Sequence, residues 1–310
     1  MAERGKENFR TDRQSVAGKM ISILIPVYNE NCVQLVSELH AQAEELGFDF
    51  EILVVDDHSP NPDKANRVIR QWSGVYYEEL PQNYGRSKIR NYMAEKAKGD
   101  YLIFLDGDSG INNRCFLKNY CCFMGKLDVV CGGTEYCQKE FVDRKYILHW
   151  KNGSIRESNA KKRNTACFTS NNFMIRKQVF SCTGFDAELK TYGHEDTLFD
   201  IMLKERKVKI KHIDNPVVHL GLKPFDKFIS DIESATRNLK TIYDKYGHRV
   251  DLKRIRLVRA ASYLSRLHLC GLYRAGFRIL KPLMLYCLKS KNPNLYVLDL
   301  YKLGIYVESC

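Results

Sequence analysis

The sequence predicts an α/β fold: a mostly parallel sheet flanked by helices, followed by a helical extension at the C-terminal end. Three observations carry this reading. Short apolar runs alternate with segments of helical spacing over residues 21–105. Acidic or turn-forming residues stand where several of those runs stop. Near residue 222 the rhythm changes, and the chain beyond that point is helical and basic. Strand and helix alternating at short intervals build a parallel sheet with helices on both faces.

The first run, Ile21 to Val27, reads as a strand with Pro26 near its end. Val33, Val36, Leu39, Ala43 and Leu46 predict a helix over 31–46, stopped by Gly47. Residues 51–55 form the second strand, running into Asp56-Asp57-His58-Ser59-Pro60. A second helix is expected over 63–72, a third strand over 75–80 and a third helix over 86–98. Residues 101–105 are continuously apolar and read as a buried strand. Later strand candidates are 127–132, 168–176, 208–213 and 217–220. The polar stretch 138–165, with Lys161, Lys162 and Arg163, reads as a long mobile loop with some helix. Helices are expected over 225–246 and 252–280. The domain reading is a disordered lead over 1–19, an α/β domain over 20–222 and a basic helical extension over 223–310.

Composition narrows the classes. A chain of 310 residues buries a substantial core. Its net charge of +12 points to an anionic partner, or to a solvated basic surface. The 11 cysteines include no C-x-x-C pair, which excludes the metal-finger and thioredoxin patterns. Their odd number and scatter fit reduced thiols in a cytosol. Residues 1–19 lack the apolar segment of a signal peptide, and no apolar run is long enough to span a bilayer. The expected location is cytoplasmic, with peripheral attachment to the inner face of a membrane. That attachment rests on the arginines interleaved with Leu, Tyr and Phe between 257 and 288, which suit a helix lying on anionic lipid. Packing of the same helices on the catalytic domain is the alternative.

The chemistry centres on Asp106-Gly107-Asp108, directly after the strand 101–105. The ends of strands are where open α/β sheets bind ligands. Two carboxylates at this spacing suit Mg²⁺ or Mn²⁺, which commonly bridge a protein carboxylate to a phosphate. Gly107 lets the chain turn between them. A D-x-D sequence also occurs in ordinary solvated turns, so its companions decide the reading. They are Pro26-Val27-Tyr28-Asn29-Glu30, Asp56-Asp57-His58-Ser59, Asn83-Tyr84-Gly85, Arg90-Asn91, Gly193-His194-Glu195-Asp196 and Val217-Val218-His219.

In order and spacing, this set resembles the inverting, nucleotide-sugar-dependent glycosyltransferases of family 2, which have the GT-A (Rossmann-like) fold. The resemblance covers residues 20–222. It implies that Pro26, Tyr28 and Glu30 lie along the nucleoside, and that Asp57 accepts a base N–H, which favours uracil or thymine. As a residue type, Asp57 equally suits a cap or turn. His58 stands where the family often has glycine. Asn83, Gly85 and Arg90 match the turn and arginine near the diphosphate, a sensible place for a guanidinium. A solvated helix face is the other reading of Arg90. Asp108 is implied as the direct metal ligand, Asp106 as a contact to ribose or to the metal's water shell, and His219 as a further metal ligand or a structural histidine. Asp196 is implied as the base that takes the acceptor's proton, with Glu195 orienting the acceptor or sugar. The reverse assignment stands beside it. Asn171 or Asn172 would meet donor-sugar hydroxyls. Trp150 would either stack on a sugar or pack in the core.

The implied activity is metal-dependent transfer of a sugar from a UDP-sugar to a glycan or lipid-linked glycan, with Mn²⁺ or Mg²⁺ as cofactor. Two rivals remain at this level. An aspartate-nucleophile phosphohydrolase also shows D-x-D after an apolar strand, although normally on its first strand. A basic nucleic-acid-binding module fits the charge and the tyrosines, but acids at several strand ends would repel phosphate unless a cation intervened. No G-x-G-x-x-G stands after the first strand, which weighs against a dinucleotide oxidoreductase.

Overall fold

Alternation of apolar residues decides how the central sheet is clad. In strand β1 (Ile21–Val27) the odd-numbered residues Ile23 and Ile25 join one core cluster, while Leu24 joins another on the opposite face. The computed structural model describes residues 18–47, 49–158, 168–188, 193–248 and 250–309. Among these, the chain divides into two units. The first draws on the chain up to Tyr136, on Glu157–Lys190 and on Asp196–Gly221; the second on Cys137–Arg156, Thr191–Glu195 and Leu222–Cys310.

The first unit is built on a seven-stranded sheet in the order β3-β2-β1-β4-β8-β6-β9. Strands β1, β2 (Phe50–Asp56), β3 (Val75–Glu79) and β4 (Tyr101–Leu105) run parallel. Strand β8 (Asn172–Arg176) lies antiparallel between β4 and β6 (Val129–Cys131), and β9 (Ile210–His212) pairs parallel to β6. Helix α1 (Val33–Leu46) buries Leu35, Val36 and Leu39 on one face of the sheet. Helix α2 (Gly85–Lys96) buries Ile89 and Met93 on the other. There Phe104 stacks on Phe173 with ring centroids 4.8 Å apart, and Phe185 stacks on Phe199 at 4.4 Å. The unit also holds the short helices α3 (Phe116–Cys121) and α5 (Lys177–Thr183). Helix α6 (Glu195–Glu205) belongs to it from Asp196 onward.

A second, three-stranded sheet goes beyond the sequence expectation. It joins β5 (Ser109–Gly110), β10 (Val217–His219) and β7 (Thr134–Glu135), with β10 in the middle. Strand β10 answers to the candidate 217–220, while β5 and β7, two residues each, are too short to leave a periodic signal in the sequence.

The second unit is helical. Helices α4 (Ile147–Arg156), α7 (Phe225–Tyr246), α9 (Cys270–Leu288) and α10 (Leu295–Glu308) enclose a cluster containing Leu148, Phe228, Phe277, Leu288, Leu298 and Tyr301. Helix α8 (Arg256–Arg266) packs Val258 and Ala261 against Leu239 and Tyr306. Inside this unit Glu233 accepts hydrogen bonds from the Tyr301 hydroxyl and, at 3.2 Å, from Lys281 Nζ. Arg156 donates to Asp299 at 2.7 Å.

Several expectations change in detail. The helix expected over 63–72 is a 3-10 helix, Lys64–Gln71, whose buried residues are Asn66 and Ile69. Three residues per turn put positions 66 and 69 on one face. Asn66 is tied inward by accepting from Cys32 N at 2.9 Å and donating to the Glu30 carbonyl at 2.8 Å. The helix expected over 252–280 breaks at His268, where φ is +56°, and α9 then runs on to Leu288. Helix α10 lies within the region that the sequence marks only as helical and basic. Part of the expected loop 138–165 is α4, while Lys161, Lys162 and Arg163 lie outside the described residues, as do residues 1–17 of the expected lead. Trp150 donates its indole N–H to the Cys137 carbonyl at 2.8 Å.

Candidate active site

The parallel register brings three sequence motifs to one edge of the first unit's sheet. Val27 pairs with Asp56, so the end of β1 and the Asp56-Asp57 corner are neighbours. Asp57 N donates to the Val27 carbonyl at 2.8 Å. Asp56 is buried and its Oδ1 accepts from Ser59 N at 2.7 Å; Ser59 Oγ in turn accepts from Asn29 N at 2.8 Å. Asn29 and His58 both take left-handed backbone conformations, with φ of +58° and +59°. Such angles mark turns held by their surroundings. Tyr28, just before Asn29, is half exposed.

Asp57 is spent on the start of α2. Its two oxygens accept from Tyr84 N at 2.6 Å and Gly85 N at 2.9 Å, while Asn83 Nδ2 donates to the Asp57 carbonyl at 2.8 Å. This ties the N-x-G turn to the end of the second strand. Burial pushes the Asp57 carboxyl above its ordinary value against the pull of those two N–H groups, and nearby Asp56 adds to the rise. Each carboxylate oxygen still carries a second lone pair for a ligand N–H.

Arg90 does not sit on a solvated face. It is 2% exposed, and its Nη2 donates to Asp106 Oδ1 at 2.5 Å. Nη1 donates to the Arg86 carbonyl at 3.0 Å, and the guanidinium lies 5.7 Å from the Phe185 ring centroid. Arg90 therefore holds Asp106 from beneath rather than reaching outward. Asp106 continues β4, and its N donates to the Asn171 carbonyl at 3.2 Å.

Asp108 belongs to a different local structure. Leu220 N donates to the Asp108 carbonyl at 2.9 Å, and His219 on β10 pairs with Ser109 on β5. Asp108 Oδ2 then lies 3.5 Å from His219 Nδ1, with both side chains about one-fifth exposed. The small sheet thus joins residues 111 positions apart, a juxtaposition visible in the sequence only through the resemblance. Two glycines make the room. A Cβ on Gly107 would sit 3.2 Å from the Pro26 carbonyl oxygen, and one on Gly221 would sit 2.1 Å from Asp108 Oδ2. The Tyr136 ring packs edge-on to His219, centroids 5.4 Å apart.

Among the described residues no three His, Cys, Asp or Glu side chains cluster as a complete metal cage. Asp108 and His219 offer two donors. One or two protein ligands plus substrate phosphate oxygens is how Mg²⁺ is usually held, so the pair fits a cation shared with a diphosphate better than a resident structural metal. Asp106 is committed to Arg90.

The two asparagines separate clearly. Asn172 is fully buried, donating to the carbonyls of Gly133 and Asn215 at 2.8 and 2.9 Å and accepting from the Tyr120 hydroxyl at 2.6 Å. It is a strut. Asn171 donates to Thr134 Oγ1 at 2.7 Å, leaving its Oδ1 without a partner among the described residues. No sequence signal distinguishes them. At the start of α6, Asp196 Oδ1 accepts from Thr197 N at 2.7 Å, and Glu195 is 6% exposed. In the second unit His194 has φ of +67° and Asn238 donates to the Gly193 carbonyl.

Comparison with known proteins agrees with this architecture. The sequence model described as Glycosyl transferase family 2 matches residues 22–184, over half of the chain. Among curated relatives, a poly(ribitol-phosphate) beta-N-acetylglucosaminyltransferase, TarP, from Staphylococcus aureus is 30% identical over 108 residues, 33% of each chain. An undecaprenyl-phosphate 4-deoxy-4-formamido-L-arabinose transferase from Aeromonas hydrophila is 34% identical over 97 residues, 29% of each chain. The chain thus spans about a third of the length of the curated relatives it matches. Among solved structures, the mannosyltransferase PcManGT from Pyrobaculum calidifontis superposes with a TM-score of 0.54 at 11% identity, covering 98% of this chain and 92% of that one. Glucosyl-3-phosphoglycerate synthase from Mycobacterium tuberculosis gives 0.51 at 14% identity, covering 75% and 81%. These structures share the fold. The match across residues 22–184, which contain the Asp57, Arg90 and Asp106-Gly107-Asp108 motifs, places the chain in glycosyl transferase family 2.

Proposed function

We propose that the chain transfers a sugar, with inversion, from a nucleotide-diphosphate sugar to a glycan or lipid-linked glycan, using Mn²⁺ or Mg²⁺. The observation that carries this is the Asp108–His219 pair, held beside Asp106 at the sheet edge with both side chains partly exposed to a further ligand. Asp108 and His219 would hold the cation, whose chemistry there is to neutralise charge on the departing diphosphate. Two neighbours in fold support a nucleotide and a cation together: the synthase structure contains Mn²⁺ and UDP, and the mannosyltransferase structure GDP-Man and Mn²⁺. They differ in base; the acceptor lone pairs of Asp57 suit a base N–H, which uracil and guanine both carry, so the choice of uridine rests on the family resemblance alone. Tyr28, with Pro26 and Glu30 at the same strand end, would lie along the nucleoside.

On the acceptor side, Asp196 takes the hydroxyl proton as that oxygen attacks the anomeric carbon, and Glu195 orients acceptor or sugar. Fixing the base at a helix start keeps its geometry rigid, and both acids are favourable against the helix dipole. The names of the curated relatives, one acting on a polymer and one on a lipid phosphate, support an acceptor of that class. Asp106 is engaged by buried Arg90, which weighs against a phosphohydrolase with that aspartate as nucleophile.

The test is a thermal-shift panel of nucleotide sugars with and without Mn²⁺, since a ligand that prefers the folded chain raises its apparent stability. A UDP-sugar should stabilise the chain only with the cation, and Asp108→Asn should abolish that stabilisation. Asp196→Asn should bind donor normally and fail to turn over. Turnover that persists in chelator would refute the metal assignment, and loss of donor binding in Asp196→Asn would move that residue to the donor side.

A further inference from the structure

We propose that the exposed face of α9, with the end of α8, docks this chain on an anionic lipid bilayer. Helix α9 is apolar on two opposite sides. One side packs into the second unit's core through Phe277 and Leu288, with Tyr273 and Leu285 partly buried beside them. At 3.6 residues per turn the other side carries Leu272, Ile279, Leu283 and Tyr286, which are 73%, 79%, 58% and 79% exposed. Tyr263 and Leu267, at the end of α8 and just after it, are exposed too. Contiguous apolar surface of this kind marks an interaction site.

Charge selects what covers it. Residues 252–298 contain ten Lys and Arg and no Asp or Glu. Four of these cations are engaged within the unit: Arg254 by Asp251, Arg274 by the Val307 carbonyl, Arg278 by Glu308 and Lys281 by Glu233. Arg256, Arg259 and Arg266 along α8 are all exposed. A second copy of the chain would set cation against cation across this face. A nucleic acid would match the charge but leave the leucine ridge with nothing to bury. An anionic bilayer satisfies both: the ridge enters the boundary between headgroups and acyl chains while the arginines meet lipid phosphates. No described helix is long and apolar enough to cross a membrane, so α9 would lie in the plane of the surface. The same chemistry continues past the ridge. Tyr286 also lines a groove of about 1030 Å³ whose other walls include Ile147, Phe225 and Leu288 together with Lys145 and Lys289.

The experiment is co-sedimentation of the full chain with phosphatidylcholine vesicles and with mixed phosphatidylcholine–phosphatidylglycerol vesicles, alongside gel filtration without lipid. It needs neither donor nor turnover, so it stands or falls separately from the proposed reaction. Wild type should sediment with the mixed vesicles only, and less so as salt rises. A Leu272→Ser/Ile279→Ser/Leu283→Ser variant should partition at least about a hundredfold more weakly with unchanged circular dichroism, because each Ser removes several buried methylene-sized groups from the lipid contact. Arg256→Gln/Arg259→Gln/Arg266→Gln should weaken binding to mixed vesicles and lose most of the salt dependence. Undiminished binding by the serine variant would overturn the proposal, as would equal binding to neutral vesicles. A wild-type dimer that the serine variant breaks would assign the face to a second copy instead, and heparin binding as strong as vesicle binding in both forms would assign it to a polyanion.

Discussion

Replacing Gly221 by alanine should damage cation binding far more than it damages the fold. The added Cβ would stand 2.1 Å from Asp108 Oδ2, 2.9 Å from its Cγ and 3.1 Å from its Cβ. Those distances leave no rotamer of Asp108 near its present position, so the carboxylate must swing away or the backbone at 221 must retreat. Either motion separates Asp108 Oδ2 from His219 Nδ1, now 3.5 Å apart. Overpacking of this sort costs about 1–3 kcal/mol. If the strain is relieved by moving Asp108, the loss appears in the cation's apparent affinity, at about 1.4 kcal/mol for each factor of ten. The expected result is a rise of about ten- to a hundredfold in the Mn²⁺ concentration that half-saturates UDP-dependent thermal stabilisation. The melting temperature without ligand should change by only a few degrees. Gly110→Ala is the control on the same small sheet, because the three atoms nearest its Cβ would all belong to the side chain of Leu220, Cδ1 at 3.3 Å. Leu220 is 64% exposed and free to turn aside. A Gly221→Ala protein that binds Mn²⁺ as tightly as Gly110→Ala would refute the placement of the cation at Asp108.

The other predictions concern stability. Arg90→Met should destabilise the chain by about 3 kcal/mol, the low end for breaking a buried pair because Asp106 is partly exposed; adding Asp106→Asn should recover part of that loss in urea unfolding. Burial lowers the His194 pKa from 6.5 to about 4, so the unfolded chain takes up a proton that the folded chain refuses. Stability should therefore fall as pH drops from about 6.5 towards 4, by roughly 2 kcal/mol given the residue's partial exposure, and His194→Asn, which tolerates the left-handed backbone, should flatten that slope in a pH series of melts. In α10, Gly304→Ala would place a Cβ 2.1 Å from the Phe277 ring, and a melting temperature unchanged from wild type would refute the packing of α9 on α10.

The large sheet is legible because its signals are local. Ile21 to Val27 and Tyr101 to Leu105 are apolar runs with turn residues beyond them, and β1, β2, β3 and β4 fall within a residue or two of where those runs place them. The helix over 225–246 matches its amphipathic spacing to the residue. The segment 63–72 is legible as helical but not as 3-10, because its inward anchor is Asn66, a polar residue that a search for apolar periodicity passes over. Of the small sheet only β10 is legible, as the strand candidate 217–220; β5 and β7 are two residues long and carry no period, and the pairing joins three distant parts of the chain. The candidate site divides in the same way. Its motifs stand out as residue types at strand ends, yet their partners do not. Nothing in the sequence says that Arg90 turns inward to Asp106, or that Asn172 is consumed by Tyr120, Gly133 and Asn215.

Those partners change the electrostatics of the sheet edge. Read from the sequence, Asp56, Asp57, Asp106 and Asp108 put four negative charges at neighbouring strand ends, a cluster that only a cation could stabilise. In the folded chain three of the four already have internal employment. Asp56 accepts from Ser59 N, Asp57 accepts from two amides at the start of α2, and Asp106 is joined to a buried guanidinium. Hydrogen bonds from N–H groups favour the ionised form of a carboxylate without any metal, although at Asp57 burial outweighs them, so much of the charge at this edge is met by protein. The fourth, Asp108, faces His219, and under the proposed reaction that pair would share a cation with each diphosphate that arrives and leaves. A site that must release a product diphosphate gains from this arrangement. Its permanent charges would be balanced by protein, and the cation's affinity would be left to depend on the nucleotide that shares it.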